Sequence, residues 1–149
     1  MKKIFIYYSL TGNGDLVSEC FKEHYYVLRK VEEKHKLPKS FFFRIMFGGF
    51  RAGLGLKGKL VNYDNNVSEF DEVVIGSPIW NGRFPPAINS VLAKTDLSNK
   101  KLIFVFYSGS GEGKKALKKV QERYKLANVI FLQEPLKHKE QLTKLEILF

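Results

Sequence analysis

Between a short apolar run and a helical pattern, Ser9-Leu10-Thr11-Gly12-Asn13-Gly14 brings together two hydroxyls, a carboxamide and two glycines. Consecutive backbone N–H groups at such a turn can converge on an anion at a helix N-terminus. Ser9 and Thr11 can donate as well, and glycine lets a ligand approach closely. A phosphate suits that set. The same residue types also turn a chain and cap a helix without any ligand, and on this segment alone the two readings stand level. A second segment, Gly76-Ser77-Pro78-Ile79-Trp80-Asn81-Gly82, carries the only tryptophan. An indole exposed there would cover a flat aromatic ligand; the alternative is a hydrophobic plug under the following loop. A third segment, Tyr107-Ser108-Gly109-Ser110-Gly111-Glu112-Gly113, is rich in backbone donors able to read ring carbonyls and nitrogens.

Each segment follows an apolar run that reads as a strand. Ile4 to Tyr8, Val73 to Gly76, Lys101 to Phe106 and Asn128 to Leu132 are runs of this kind, and most have the continuous apolar character of strands covered on both faces. Tyr26 to Val31 is more mixed, as expected of an edge strand. Between them lie helical patterns: Leu16, Val17, Cys20 and Phe21; Ala87, Ile88, Val91 and Leu92 after Pro85-Pro86; Ala116, Leu117, Val120 and Tyr124; and finally Leu142 and Leu145. Five strands alternating with helices predict an α/β, doubly wound three-layer sandwich, because parallel neighbours need right-handed crossovers. In such sheets ligands bind outside the carboxyl ends of the strands, where all three segments fall. At 149 residues the chain is read as a single domain, 1–149.

Together the three loops resemble the flavodoxin family. Ser9 to Gly14 is similar to that family's phosphate signature, usually Thr-x-Thr-Gly-Asn-Thr. Gly76 to Trp80 resembles the flavin-flanking loop of short flavodoxins, and Ser108-Gly109-Ser110-Gly111 matches the position of their third cofactor loop. The resemblance spans nearly the whole chain in strand order and loop placement. It implies a five-stranded parallel sheet of order 2-1-3-4-5 with FMN as cofactor. Ser9, Leu10, Thr11, Gly12, Asn13 and Gly14 would then lie at the phosphate. Ser77, Pro78, Ile79, Trp80, Asn81 and Gly82 would run along the ring, with Ser108, Gly109, Ser110 and Gly111 at its other edge. Two departures stand out: Gly14 replaces a phosphate-binding threonine, and Tyr107 lies at a strand end rather than at the usual stacking position, so one ring face is open to a partner or substrate. The resemblance implies an electron carrier. Alternatives are a small FMN-dependent NAD(P)H:acceptor reductase of quinone type, and a non-enzymatic basic binding module with a vestigial flavin site.

The formal charge of +10 raises nucleic acid, a membrane surface or an acidic protein as partners, and composition cannot choose among them. Beside the flavodoxin resemblance, an acidic redox protein is the expected partner and nucleic acid is not. Residues 37 to 60 hold Phe41-Phe42-Phe43, Phe47 and Phe50, followed by glycines. Phe43, Phe47, Phe50 and Leu54 share one helical face, which predicts the crossover helix before the third strand; contact of residues 41–56 with a membrane surface is the alternative. Cys20, the one cysteine, excludes an intramolecular disulfide and fits a reducing cytoplasm, and no secretory signal or metal-ligand cluster is read. His24, His35 and His138 adjoin no nucleophile motif. Gly109 to Lys115 lacks the spacing of a nucleotide-triphosphatase loop, and the first loop lacks the dinucleotide fingerprint. Acidic surroundings in many flavodoxins disfavour the fully reduced, anionic flavin, whereas this chain is basic and Arg83 follows the tryptophan loop. Its second reduction step is therefore expected at a less negative potential than in acidic relatives. A strongly negative second step in a potentiometric titration would contradict this.

Overall fold

A computed structural model of the chain describes residues 1–34, 40 and 57–149. The expected crossover helix and the proposed membrane-contacting stretch at 41–56 lie outside the described residues. Five strands, β1 (Lys3–Tyr8), β2 (Val27–Val31), β3 (Glu72–Pro78), β4 (Lys101–Ser108) and β5 (Asn128–Gln133), form one parallel sheet in the order β2-β1-β3-β4-β5. Among the described residues the α-helices that flank the sheet include α1 (Asn13–Glu23), α2 (Pro86–Lys94) and α3 (Lys114–Arg123). Strand order and flanking helices are those expected, and the chain has a flavodoxin-like α/β fold.

Side chains alternate across the sheet with the two-residue period of extended backbone. Ile4, Ile6, Tyr8, Val73, Ile75, Phe104 and Phe106 join a core beneath α2 and α3, which contribute Ala87, Ile88, Val91, Ala116 and Val120. Phe5, Tyr7, Val74, Ile103, Val105 and Tyr107 join a second core beneath α1, which contributes Val17 and Phe21. Both faces of the three central strands are thus covered, so their sequences are apolar without alternation. Aromatic stacking fills the α1 side: Phe5 lies 4.1 Å from Phe21 and 5.1 Å from Tyr7, centroid to centroid. β2 is an edge strand with Val27 and Lys30 exposed, as its mixed composition predicts.

The last helical pattern proves different. Residues Lys139–Leu148 form a 3-10 segment, not an α-helix. Three residues per turn put Leu142, Leu145 and Leu148 on one side, where Leu145 is buried and the other two pack against the α1-side core. A spacing of three satisfies either helix type, and here packing against the sheet selects the tighter one. Cys20 is half-buried beside the same core rather than fully enclosed, and burial raises its thiol pKa.

The amino-terminal edge of the sheet is fastened by a buried carboxylate. Glu72 is 0% exposed, accepts a hydrogen bond from the Tyr26 hydroxyl, and lies 2.6 Å from Lys101 Nζ. Lys3 and Lys101 are its register partners on β1 and β4, so the anion sits where three strands begin. Removing one partner of a buried ion pair leaves a charge poorly compensated. Lys101→Met is expected to destabilise the chain by about 2 kcal/mol, below the usual range because Lys101 is half exposed and Tyr26 remains. An unchanged urea midpoint would contradict this role.

Candidate functional site

All five strands run parallel, so the loops after β1, β3 and β4 emerge on one edge. The connection from β1 leads outward to β2, while β3 lies on the other side of β1. This reversal falls between β1 and β3, the place where open α/β sheets receive ligands.

The first loop leaves β1 at Ser9 and enters α1 at Asn13, with Gly12 at φ 94°. The N–H groups of Leu10, Thr11, Gly12, Asn13 and Gly14 donate to no other group of the described residues, whereas Asp15 N–H donates to Ser9 Oγ at 3.3 Å and Leu16 N–H to Gly12 O at 3.0 Å. Thr11 Oγ1 accepts from Asn13 Nδ2 at 3.2 Å. Both hydroxyls therefore accept within the loop and keep their own proton to donate outward. The Asn13 carboxamide is committed to the loop itself: its Oδ1 accepts from Leu136 N–H at 3.0 Å, which ties the chain after β5 onto this turn. Leu136 also lies against Gly12, with Cδ1 3.2 Å from where a β-carbon would stand. Asp15, one turn into the helix, is paired with Lys30 Nζ at 2.6 Å, and that hydrogen bond raises the lysine pKa.

Position 14 shows why a glycine stands there. A β-carbon on Gly14 would lie 2.5 Å from the Tyr107 hydroxyl oxygen, 3.0 Å from Tyr107 Cζ and 2.9 Å from Ser9 Cβ. Tyr107 is 3% exposed, lies on the α1 side of the sheet and donates its hydroxyl to Tyr8 O. The phenol thus fills the space that a larger residue at 14 would need.

The second and third loops are bound to each other. Asn81 and Gly82 both have positive φ, 50° and 74°, and Trp80 and Arg83 exchange two backbone hydrogen bonds at 2.9 and 3.0 Å around them. This is a two-residue primed turn, in which an Asn-Gly pair is favoured. Gly82 O accepts from Ala116 N–H at 2.7 Å, which docks the turn on the first residues of α3 beside Lys114 and Lys115. Ile79 N–H donates to Tyr107 O at 3.1 Å, and Ile79 Cγ2 lies 3.1 Å from where a β-carbon of Gly113 would be. In the third loop Ser108 Oγ accepts from Glu112 N–H at 3.0 Å and donates to Glu112 O at 2.9 Å, while Gln133 Nε2 donates to Gly109 O at 3.2 Å. Ser110 is exposed and Gly111 has φ 71°.

The structure therefore gathers Ser9 to Gly14, Ser77 to Gly82 and Ser108 to Gly111 along one edge, but with roles the sequence did not separate. Ser77 is buried and donates to Pro78 O at 2.8 Å, so its hydroxyl and that of Ser108 shape their own loops. Trp80 is 4% exposed and packs edge-on to Tyr8, centroids 6.1 Å apart, within the α2-side core. The expectation of an exposed indole is corrected: the ring is a wall at the end of β3, fixed by the primed turn behind it. Residues missed from sequence are Leu136 and Lys115, which reach these loops from distant segments; Arg83, read from sequence as a positive charge after the tryptophan loop, has its Nε buried with no hydrogen-bond partner among the described residues. No sequence signal marks the Asn13 to Leu136 contact. Among the described residues no group of His, Cys, Asp and Glu could hold a metal ion, and no helix is long and apolar enough to cross a membrane.

Fold and loops together define a doubly wound α/β protein whose switch-point edge carries a turn with five N–H groups that meet no acceptor among the described residues. A profile of the flavodoxin family matches residues 56–145, which include the second and third loops and exclude the first. The chain belongs to the flavodoxin family. Solved structures similar to it include a candidate flavoprotein from Bacteroides eggerthii, 17% identical over 98% of this chain and 96% of that one, TM-score 0.74. A flavoprotein from Lactobacillus acidophilus in complex with FMN is 20% identical over 94% and 97%, TM-score 0.60. An azoreductase from Bacillus anthracis is 16% identical over 99% and 96%, TM-score 0.54. At these identities the likeness is one of fold. No curated protein matches the chain in sequence.

On the α2 side of the same edge, burial raises the pKa of Glu33, partly offset by a hydrogen bond from Ala87 N–H at the start of α2. Burial also raises the pKa of the Tyr8 hydroxyl, and the Glu33 charge adds to it. The folded chain then holds the Glu33 proton more tightly than the unfolded chain. Its stabilising contribution is full at low pH and declines as pH rises from the ordinary carboxylate range through the raised value. Glu33→Gln is expected to lose that decline, measured as urea midpoints between about pH 4 and about pH 8. Parallel curves for the two proteins would contradict it.

Proposed function

We propose that this chain binds FMN at the three-loop edge and uses it to carry electrons. The observation behind this reading is the run of five N–H groups from Leu10 to Gly14 that meet no acceptor among the described residues, at the start of α1. A phosphate dianion accepts from such an array, and the helix N-terminus adds favourable partial charge. Ser9 and Thr11 each have a hydroxyl proton to give, and Lys30 offsets the one carboxylate, Asp15, in the first turn of α1. The Lactobacillus acidophilus flavoprotein, solved with FMN, shares the fold and supports the choice of cofactor. When bound, the isoalloxazine supplies the electron chemistry. Ser77, Pro78, Ile79, Trp80, Asn81 and Gly82 are proposed to border it from the end of β3, and Ser108, Gly109, Ser110 and Gly111 from the end of β4. Arg83 and the lysines at the start of α3 favour added negative charge nearby and an acidic redox protein as partner. A reducing cytoplasm is the proposed location, consistent with Cys20 being the only cysteine.

One observation favours the reductase as second reading. Tyr107 is turned under the first loop, so its ring is not placed to stack on a bound heterocycle, and that face is left to a second substrate. The azoreductase of the same fold accords with this. Purified protein titrated with FMN is expected to quench the flavin's fluorescence saturably, at one site per chain. Failure to take up FMN would overturn the flavin reading in favour of a vestigial site. Sustained NADH or NADPH oxidation by the FMN-loaded protein alone, with a quinone present, would replace the carrier by the reductase.

A further inference from the structure

The ring of Tyr107 belongs to the α1-side core, and it carries a hydroxyl into that core. It is a polar group on a fully covered strand, and the period of β4 sends it to the α1 face with Ile103 and Val105. There its hydroxyl donates to Tyr8 O, the last carbonyl of β1, immediately before the anion-receiving turn. Its oxygen stands 2.5 Å from the position of a Gly14 β-carbon, with Ser9 Cβ 2.9 Å from the same point. One phenol therefore meets both ends of the loop: it fixes the peptide plane from which the turn departs, and it fills the volume under the first turn of α1.

We propose that Tyr107 is the positioning residue of the phosphate loop, reaching in from β4 to occupy the place of the side chain absent at position 14, so that Tyr107 and Gly14 form one interdependent unit. The inference rests on the FMN reading and names how this chain organises that site. By pinning Tyr8 O, the phenol sets the direction of the N–H groups that follow, and a small residue at 14 is the steric consequence. Burial, with the Asp15 charge adding to it, raises the phenol pKa well above its ordinary value, which favours the protonated donor. Leu136, held by Asn13, lies against the same loop at Gly12.

The test compares FMN with riboflavin, which lacks the phosphate, in fluorescence titrations of the full chain. Tyr107→Phe keeps the ring and removes the hydroxyl. It is expected to weaken FMN about tenfold, the scale of one lost buried hydrogen bond, and to change riboflavin by less than about twofold. Gly14→Thr is expected to lose at least as much FMN affinity or to fail to fold, and Gly14→Thr combined with Tyr107→Val, which relieves the clash but still lacks the hydroxyl, to fold and bind FMN more tightly than Gly14→Thr alone while staying weaker than wild type. An unchanged FMN-to-riboflavin ratio in Tyr107→Phe, or wild-type FMN affinity in Gly14→Thr alone, would overturn the proposal. Should the wild-type chain bind neither flavin, the FMN reading falls by itself. The positioning role is then read from amide spectra of the unliganded protein, where Tyr107→Phe is expected to shift the signals of Ser9 to Gly14, and unshifted signals would overturn it.

Discussion

A turn that leaves five successive backbone N–H groups without an acceptor among the described residues is held in place by contacts from two other parts of the chain and by a bond of its own, and the arrangement of this edge of the sheet follows from keeping it so. Unsatisfied donors are costly when removed from water. A loop that retains them needs either solvent or an anion in front and firm support behind. The support is visible: Tyr107 beneath, Leu136 against Gly12, and Ser9 accepting from Asp15. Such a turn is placed at the β1/β3 reversal, on the carboxyl edge of the sheet.

The support comes at the expense of side chains that sequence would assign to a ligand. Asn13, Ser77 and Ser108 spend hydrogen-bonding capacity on their own loops or on Leu136. In the proposed FMN reading, recognition is thereby shifted toward backbone N–H groups, whose directions are fixed by the fold. The same division governs Trp80, whose ring belongs to the core while the Asn81-Gly82 turn behind it docks on α3. Arg83 and the lysines at the start of α3 put positive charge beside that turn.

Much of the architecture was legible because β1, β3 and β4 are covered on both faces and so must be continuously apolar, while the helices between them carry their stripes plainly. Coverage on both faces also hid information. With no polar alternation, nothing in Phe104-Val105-Phe106-Tyr107 shows to which face the tyrosine turns, and only the register of the folded sheet places it under Gly14. Leu142 and Leu145 fit an α-helix or a 3-10 turn equally well, and packing decided. The link between Asn13 and Leu136 joins segments far apart in sequence and leaves no pattern to read. Gly14 was recognisable as a departure from the flavodoxin signature, but its cause lay on another strand.

The most direct measurement of the central claim is an amide-resolved titration of the isotope-labelled chain with FMN. The account predicts that the N–H signals of Leu10 to Gly14 move together and downfield as a phosphate accepts from them, with signals from the loops after β3 and β4 following. Binding that leaves those five amides unmoved, with shifts confined to other parts of the sheet, would contradict it.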